Sequence, residues 1–313
     1  MDRYKVLNFR FDPAICYSGY REGQSPDIGV YPTYEQIKED LEILHGRWKY
    51  LRLYDCSRHA EIVLDVIETE HFDFQLMQGA YIAAEVSNPN CPWGAMYPEG
   101  VLRNNQKKNE EEIQRLIALA NRYPDIIASL SVGNEATVDW TDHLVPVRQV
   151  IEYARMVKKG AKQPVTFCEN YVPWHHKLVP LVDELDFISI HTYPVWEYKS
   201  IDEALAYTKD NFYSVAEKYP NKPVVITEAG WTTNSNGRGI EPHNVSEELQ
   251  EIYYHDLTEW TSKEGIITFV FEAFDEPWKG SPDAMEPEKH WGLFKVDRTP
   301  KRVMMPFYPV LDI

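Results

Sequence analysis

Apolar positions along this chain fall into two rhythms. Short, nearly continuous apolar runs occur at Val6–Phe11, Tyr50–Tyr54, Phe74–Tyr81, Ile126–Val132, Val165–Cys168, Phe187–His191, Val224–Thr227 and Ile266–Phe271. Runs of this kind predict strands covered on both faces. Between most of them the spacing changes to three and four. Thr33 and Gln36 have capping-box spacing, and Ile37, Leu41 and Leu44 then share one helical face. Ile62, Val63, Val66 and Ile67 repeat the pattern, as do Ile113, Leu116, Ile117 and Ala120. Val150, Ile151, Ala154 and Val157 follow, with Gly160 as a stop. Ser200 and Glu203 form a second capping box ahead of Ala204, Leu205, Phe212 and Val215. Ser246, with Glu247 and Glu248 in the first turn, opens the seventh helix. After the eighth strand, Pro306 and Pro309 leave room for only a short last helix. Eight β–α alternations predict an α/β fold: a (β/α)8 TIM barrel in which residues 1–313 form a single domain. The runner-up, an open doubly wound sheet, is disfavoured because no G-x-G-x-x-G or P-loop follows any strand.

Charge narrows the possible partners. With 32 basic and 49 acidic residues the net charge is −17, which opposes binding to nucleic acid or to an anionic membrane surface. Its plain reading is solubility. Hydrophobic residues at 43% and charged residues at 26% exclude a disordered chain. Nine Trp and 20 Tyr supply flat faces that suit neutral ligands with apolar C–H surfaces, sugars among them. No apolar run approaches 18 residues, so no membrane span is expected. Met1–Phe9 reads as a strand and not as a basic segment followed by an apolar one; no secretory signal is read in this chain, and its location is left open. Cys16, Cys56, Cys91 and Cys168 contain no C-x-x-C and read as free thiols, a disulfide not being excluded.

In a barrel the reactive side chains sit at the carboxyl ends of strands. Those ends are Arg52-Leu53-Tyr54-Asp55, Ser131-Val132-Gly133-Asn134-Glu135, Cys168-Glu169-Asn170, His191-Thr192-Tyr193-Pro194, Ile226-Thr227-Glu228-Ala229-Gly230-Trp231 and Phe271-Glu272-Ala273-Phe274-Asp275-Glu276. Glu135 and Glu228 follow the fourth and seventh runs, on opposite sides of an eight-strand barrel. Hydrolysis of a glycosidic bond needs two carboxyl groups flanking it. Either glutamate alone reads more simply as a loop cap or an arginine partner; together, beside Asn134 and Trp231, they point to catalysis.

Arg52-Leu53-Tyr54-Asp55, Val132-Gly133-Asn134-Glu135, Ile226-Thr227-Glu228-Ala229-Gly230-Trp231, the run from Phe271 through Glu276 to Pro277-Trp278-Lys279, and His290-Trp291-Gly292-Leu293-Phe294 resemble glycoside hydrolase family 17, the β-1,3-glucanases and glucan transferases of clan A, in a bacterial-type member. The resemblance runs from residue 52 to residue 294. It implies a retaining glycosidase that cleaves laminarin-type β-1,3-glucan by double displacement, with Glu135 as acid/base and Glu228 as nucleophile. It further implies that Asn134 bonds the sugar 2-OH, Tyr193 bonds the nucleophile, Tyr54 lines the cleft and Trp196 stacks on sugar. Glu272, Lys279 and Glu288 would form a polar cluster beyond the eighth strand, with Glu286 the competing acid. Trp231, Trp278 and Trp291 are further candidate stacking faces, Trp231 as a cleft floor.

The implied partner is a β-glucan chain, with no nucleic acid and no membrane, and a monomer is expected. No cofactor is expected and no metal: Asp139, Asp142 and His143 lack ligand spacing, and the adjacent His175 and His176 point apart. His191 reads as a hydrogen-bonded residue of the core or as a support behind the site residues. Asn244-Val245-Ser246 fits a glycosylation pattern, but Ser246 is better read as the helix cap. Cys91-Pro92-Trp93-Gly94 has no counterpart in the family. Alternatives are a glucanosyltransferase with the same site, an idle sugar-binding barrel, and a metal-dependent hydrolase that a chelator would stop.

Overall fold

The computed structural model describes residues 10–308. Eight parallel strands close into a barrel in sequence order: β1 (Ala14–Cys16), β2 (Tyr50–Leu53), β3 (Gln75–Gly79), β4 (Ile127–Asn134), β5 (Val165–Asn170), β6 (Ile188–His191), β7 (Val224–Ala229) and β8 (Thr268–Val270). Seven lie within or across the apolar runs that predicted them. The first does not. Residues 6–9 of the expected Val6–Phe11 strand lie outside the described residues, and Arg10 and Phe11 are not in a strand. The carbonyl of Pro13 accepts the N–H groups of Lys49 (2.9 Å) and Tyr50 (3.2 Å), so the ladder to β2 begins there.

Among the described residues six α-helices pack outside the barrel: α1 (Tyr34–Leu44), α2 (Arg58–Thr69), α3 (Glu99–Arg122), α4 (Val147–Gly160), α5 (Ile201–Lys218) and α6 (Glu247–Glu264). Both capping boxes form, and the Ser246 hydroxyl accepts the N–H of Leu249. Gly160 is the last helical residue of α4. The connection from β5 to β6 departs from the helical alternation. It is built of two 3₁₀ turns, Val172–His175 and Val179–Glu184, each with a proline in its first two positions. The predicted seventh helix is therefore α6. Residues 301–308 form turns, so the short last helix is not found among the described residues. A cavity of about 440 Å³ is lined by Trp48, Tyr254, Ile266, Val270 and Phe307 among others. No described helix is long and apolar enough to cross a membrane.

Candidate active site

Glu135 owes its place to an irregular strand end. The pairing of β4 with β5 shifts register between Ser131 and Asn134. Gly133 sits in that shift with φ +153°, and a Cβ there would come within 2.8 Å of Ile82 and 2.9 Å of Phe167. Glu135 follows with φ +44°, a conformation few side chains adopt, and its N–H bonds the carbonyl of Cys168 at 2.9 Å. Two clamps hold this turn. His143 Nε2 donates to the Asn134 carbonyl at 2.9 Å, while its Nδ1 faces Asp142 at 2.7 Å. Buried Glu169, on β5, accepts from the N–H (2.9 Å) and hydroxyl (2.7 Å) of Thr137. Burial, then the charge of Glu135, pushes the Glu169 carboxyl up to about 7.

Glu228 lies within β7, 6% exposed. Arg52 Nη1 bonds its Oε1, and the Tyr193 hydroxyl donates to its Oε2 at 2.5 Å. Burial alone would push this carboxyl up. The charges of His191 and Arg52 and the bonds from Tyr193 and Arg52 outweigh it and hold Glu228 at about 2. Arg52 also bonds Asn134 Oδ1, which leaves the Asn134 amide N–H₂ as the donor for a ligand. Tyr54 lies under the same guanidinium, 4.4 Å from its ring centre, and its hydroxyl accepts from Arg52 at 3.2 Å.

Glu135 and Glu228 meet at His191. Its Nδ1 is 2.8 Å from Glu135 Oε1 and 3.4 Å from Glu228 Oε2. One atom from each of these three residues lies within 4.8 Å of the others, so the carboxylates stand close across the mouth. The same trio has the donor types of a metal site. A cation there would compete with Arg52, Tyr193 and the His191 proton for the same oxygens.

The segment after β8 supplies the polar cluster. Lys279 Nζ donates to Glu272 Oε2 at 3.0 Å and is paired with Glu276. Burial and the neighbouring charge of Glu276 push Glu272 well up, whereas Lys279 draws Glu276 down. Glu288 lies within reach of the charges of Lys279, Glu135 and Glu228, and burial raises it to about 7. Glu286 faces elsewhere: it binds Ser281 (2.6 Å) and Arg238 (3.1 Å) and so closes its own loop.

The four tryptophans divide. Trp196 is half-buried, with Gly239 packed on its ring and Trp291 at 6.3 Å. Trp278 is half-buried, donates to Glu276 at 3.0 Å and packs edge-on against Tyr20. Trp291 is 1% exposed and lies 5.1 Å from the Tyr193 ring, so it backs that tyrosine instead of meeting a ligand. Trp231 is not a cleft floor. It is 1% exposed, bonds the Asn244 carbonyl at 3.0 Å and packs on Tyr253 of α6. Strand-end adjacency to Glu228 did not say which face of the barrel wall its ring would take.

The sequence left Arg52, Glu276 and Glu169 without a role, and read His191 as a core residue or a support behind the site, the second of which is where it stands. For Arg52, Glu169 and His191 the signal was available: each is a charged or titratable residue inside an apolar strand, where burial demands a partner. The four cysteines are free and buried, as expected.

The BtgE/BtgC glycoside hydrolase domain matches residues 14–292. An endo-laminarinase from Formosa superposes with a TM-score of 0.80 at 30% identity, over 95% of this chain and 86% of that one. A β-1,3-glucanosyltransferase of Rhizomucor miehei, an active-site mutant with laminaritriose, shares the fold at TM-score 0.71 and 22% identity, over 93% and 96% of the two chains. A protein of Aspergillus niger named as a glucan endo-1,3-beta-glucosidase, btgC, is 26% identical over 92% of this chain and 42% of its own length. A glucan 1,3-beta-glucosidase of Arthroderma benhamiae is 29% identical over 37% of this chain and 41% of its own length. The chain thus spans well under half the length of the curated relatives it matches. By the match of residues 14–292, the chain belongs to the BtgE/BtgC glycoside hydrolase domain family.

Proposed function

We propose that this protein is a retaining glycosidase of β-1,3-glucan. The observation that carries the reading is the unequal treatment of two close carboxyl groups. Glu228 is held ionised by Arg52, Tyr193 and His191, whereas Glu135 faces only the His191 N–H and stands a quarter exposed at the mouth. Glu228 attacks the anomeric carbon while Glu135 protonates the departing oxygen. A glycosyl ester on Glu228 results. Glu135, now a carboxylate, then takes a proton from water as that water displaces the ester. Asn134 Nδ2 reaches the sugar hydroxyl next to the reacting carbon, and half-buried Trp196 supplies an aromatic contact to a ring beyond. The linkage preference is supported by the likeness to the Formosa endo-laminarinase at 30% identity over most of both chains.

The test is sugar release from linear β-1,3-, mixed-linkage and β-1,4-glucans. The protein should degrade laminarin and leave cellulose nearly untouched. Faster release from a β-1,4-glucan would defeat the substrate assignment. Longer chains appearing at high oligosaccharide concentration would identify glucan transfer through the same glycosyl-enzyme.

A further inference from the structure

The two carboxylates exchange charge during double displacement, and one buried side chain touches both. In the first step the C1–O bond breaks, its electron pair goes to the leaving oxygen, and the Glu135 proton joins that oxygen. Glu228 becomes a neutral ester and Glu135 a carboxylate. In the second step water gives Glu135 its proton, and the ester's electron pair returns to Glu228. One negative charge therefore crosses from Glu228 to Glu135 and back.

His191, fully buried on β6, stands where that charge crosses. Its Nδ1 is 2.8 Å from Glu135 Oε1 and 3.4 Å from Glu228 Oε2. Both neighbours are acceptors when ionised, so Nδ1 carries the hydrogen. Its Nε2 is buried without a hydrogen-bond partner and lies on the side of Cys168 of β5. Arg52 of β2 is a second cation bonded to one of the pair, while Lys279 lies farther out on Glu272 and Glu276. Arg52 bonds Glu228 and Asn134, with no bond to Glu135. Tyr193 likewise serves Glu228 alone of the pair. Among the described residues, His191 is the cationic side chain in contact with both catalytic carboxyl groups.

We propose that His191 is a positioning residue that stays protonated through turnover and acts as the fixed counter-charge for whichever of Glu135 and Glu228 is ionised. The proposal rests on the double-displacement reading above. Burial pulls the imidazole down, but the charge of Glu228, the neighbouring Cys168 and the bond to Glu135 raise it to about 10. The short contact also turns Glu135 Oε1 inward, so its proton is delivered from Oε2.

Nitrogen NMR of the imidazole tests this without turnover, and so separately from the substrate reading. The doubly protonated signature of His191 should persist at pH 8 in the wild type and in Glu135→Gln and Glu228→Gln singly. In the double variant it should be lost near or below the ordinary histidine value of about 6.5. A neutral His191 at pH 7 in the wild type, or in either single variant, would overturn the proposal. A kinetic arm uses His191→Asn, whose amide N–H can replace Nδ1–H without its charge. KM for laminarin should change less than about threefold, while the acidic limb of kcat/KM moves up by about one pH unit, a tenfold loss on that limb. A limb at the wild-type position would equally overturn it. If that variant fails to fold, the wild-type NMR titration still decides.

Discussion

A carboxylate buried at a barrel mouth persists only if its surroundings hold it ionised. For Glu228 those surroundings are three side chains, and each can be removed in turn. Glu228→Ala should abolish turnover of laminarin, and so should Glu135→Ala, each by about 10³-fold or more, since the proposed double displacement assigns both a part in bond making. Azide should partly restore the Glu228 variant by taking the nucleophile's place; near-full activity of either variant would refute the pair. The pH dependence follows from the sign of the shift. Glu228 is depressed to about 2, so it stays ionised, and the attack stays possible, until the pH falls towards that value. The linked stability is present above the ordinary glutamate value of about 4.3 and is lost as the pH falls through the folded value. Arg52→Met removes a lowering charge, so its acidic limb of kcat/KM should move to higher pH. An unmoved limb would mean that another group sets it.

Across the elements, the strand ends position the site through close backbone approaches as much as through side chains. Gly230 marks the closest: a Cβ there would lie 2.0 Å from the Phe271 carbonyl oxygen at the head of β8. Gly230→Ala should therefore part β7 from β8 and destabilise the fold by about 1–3 kcal/mol, read from denaturant unfolding. The two indoles give a sharper contrast. Trp231→Phe loses the bond to the Asn244 carbonyl and should destabilise the fold by about 1 kcal/mol with KM for laminarin unchanged. Trp196→Ala should raise that KM instead, by about tenfold, the scale of one lost apolar contact of roughly 1–2 kcal/mol. Equal effects on KM would return Trp231 to the cleft. These contrasts mark what was legible in the sequence. Seven strands were legible because each is an apolar run longer than chance loops supply. The first was not, because Ala14–Cys16 is three residues long and the Val6–Phe11 run beside it is the stronger pattern. Glu135, Asn134, Glu228 and Tyr193 were legible because they end strands. Arg52 and His191 sit inside strands, where the sequence shows a polar residue but not the partner that it meets across the barrel.

At the scale of the whole molecule, barrel closure is what turns two distant glutamates into one device. β4 and β7 are separated by β5 and β6 on one side, and the shared histidine comes from β6, between them. Closure thus sets the separation of the carboxyl groups, and that separation sets the stereochemistry. Inverting enzymes leave about 6.5–9.5 Å for a water between their carboxyl groups, while retaining ones hold them about 5–5.5 Å apart. Here one oxygen from each carboxyl group lies within 4.8 Å of the other, and both face the same His191 nitrogen, which favours direct attack by Glu228 over activation of a water in between. The first sugar released from laminarin should accordingly be the β anomer, seen by proton NMR before mutarotation mixes the anomers. Methanol added as an acceptor should yield a β-methyl glycoside, because the intermediate is intercepted on the same face. An initial α product, or an α-methyl glycoside, would show that the two carboxyl groups move apart to admit a water and that Glu228 activates it instead of attacking.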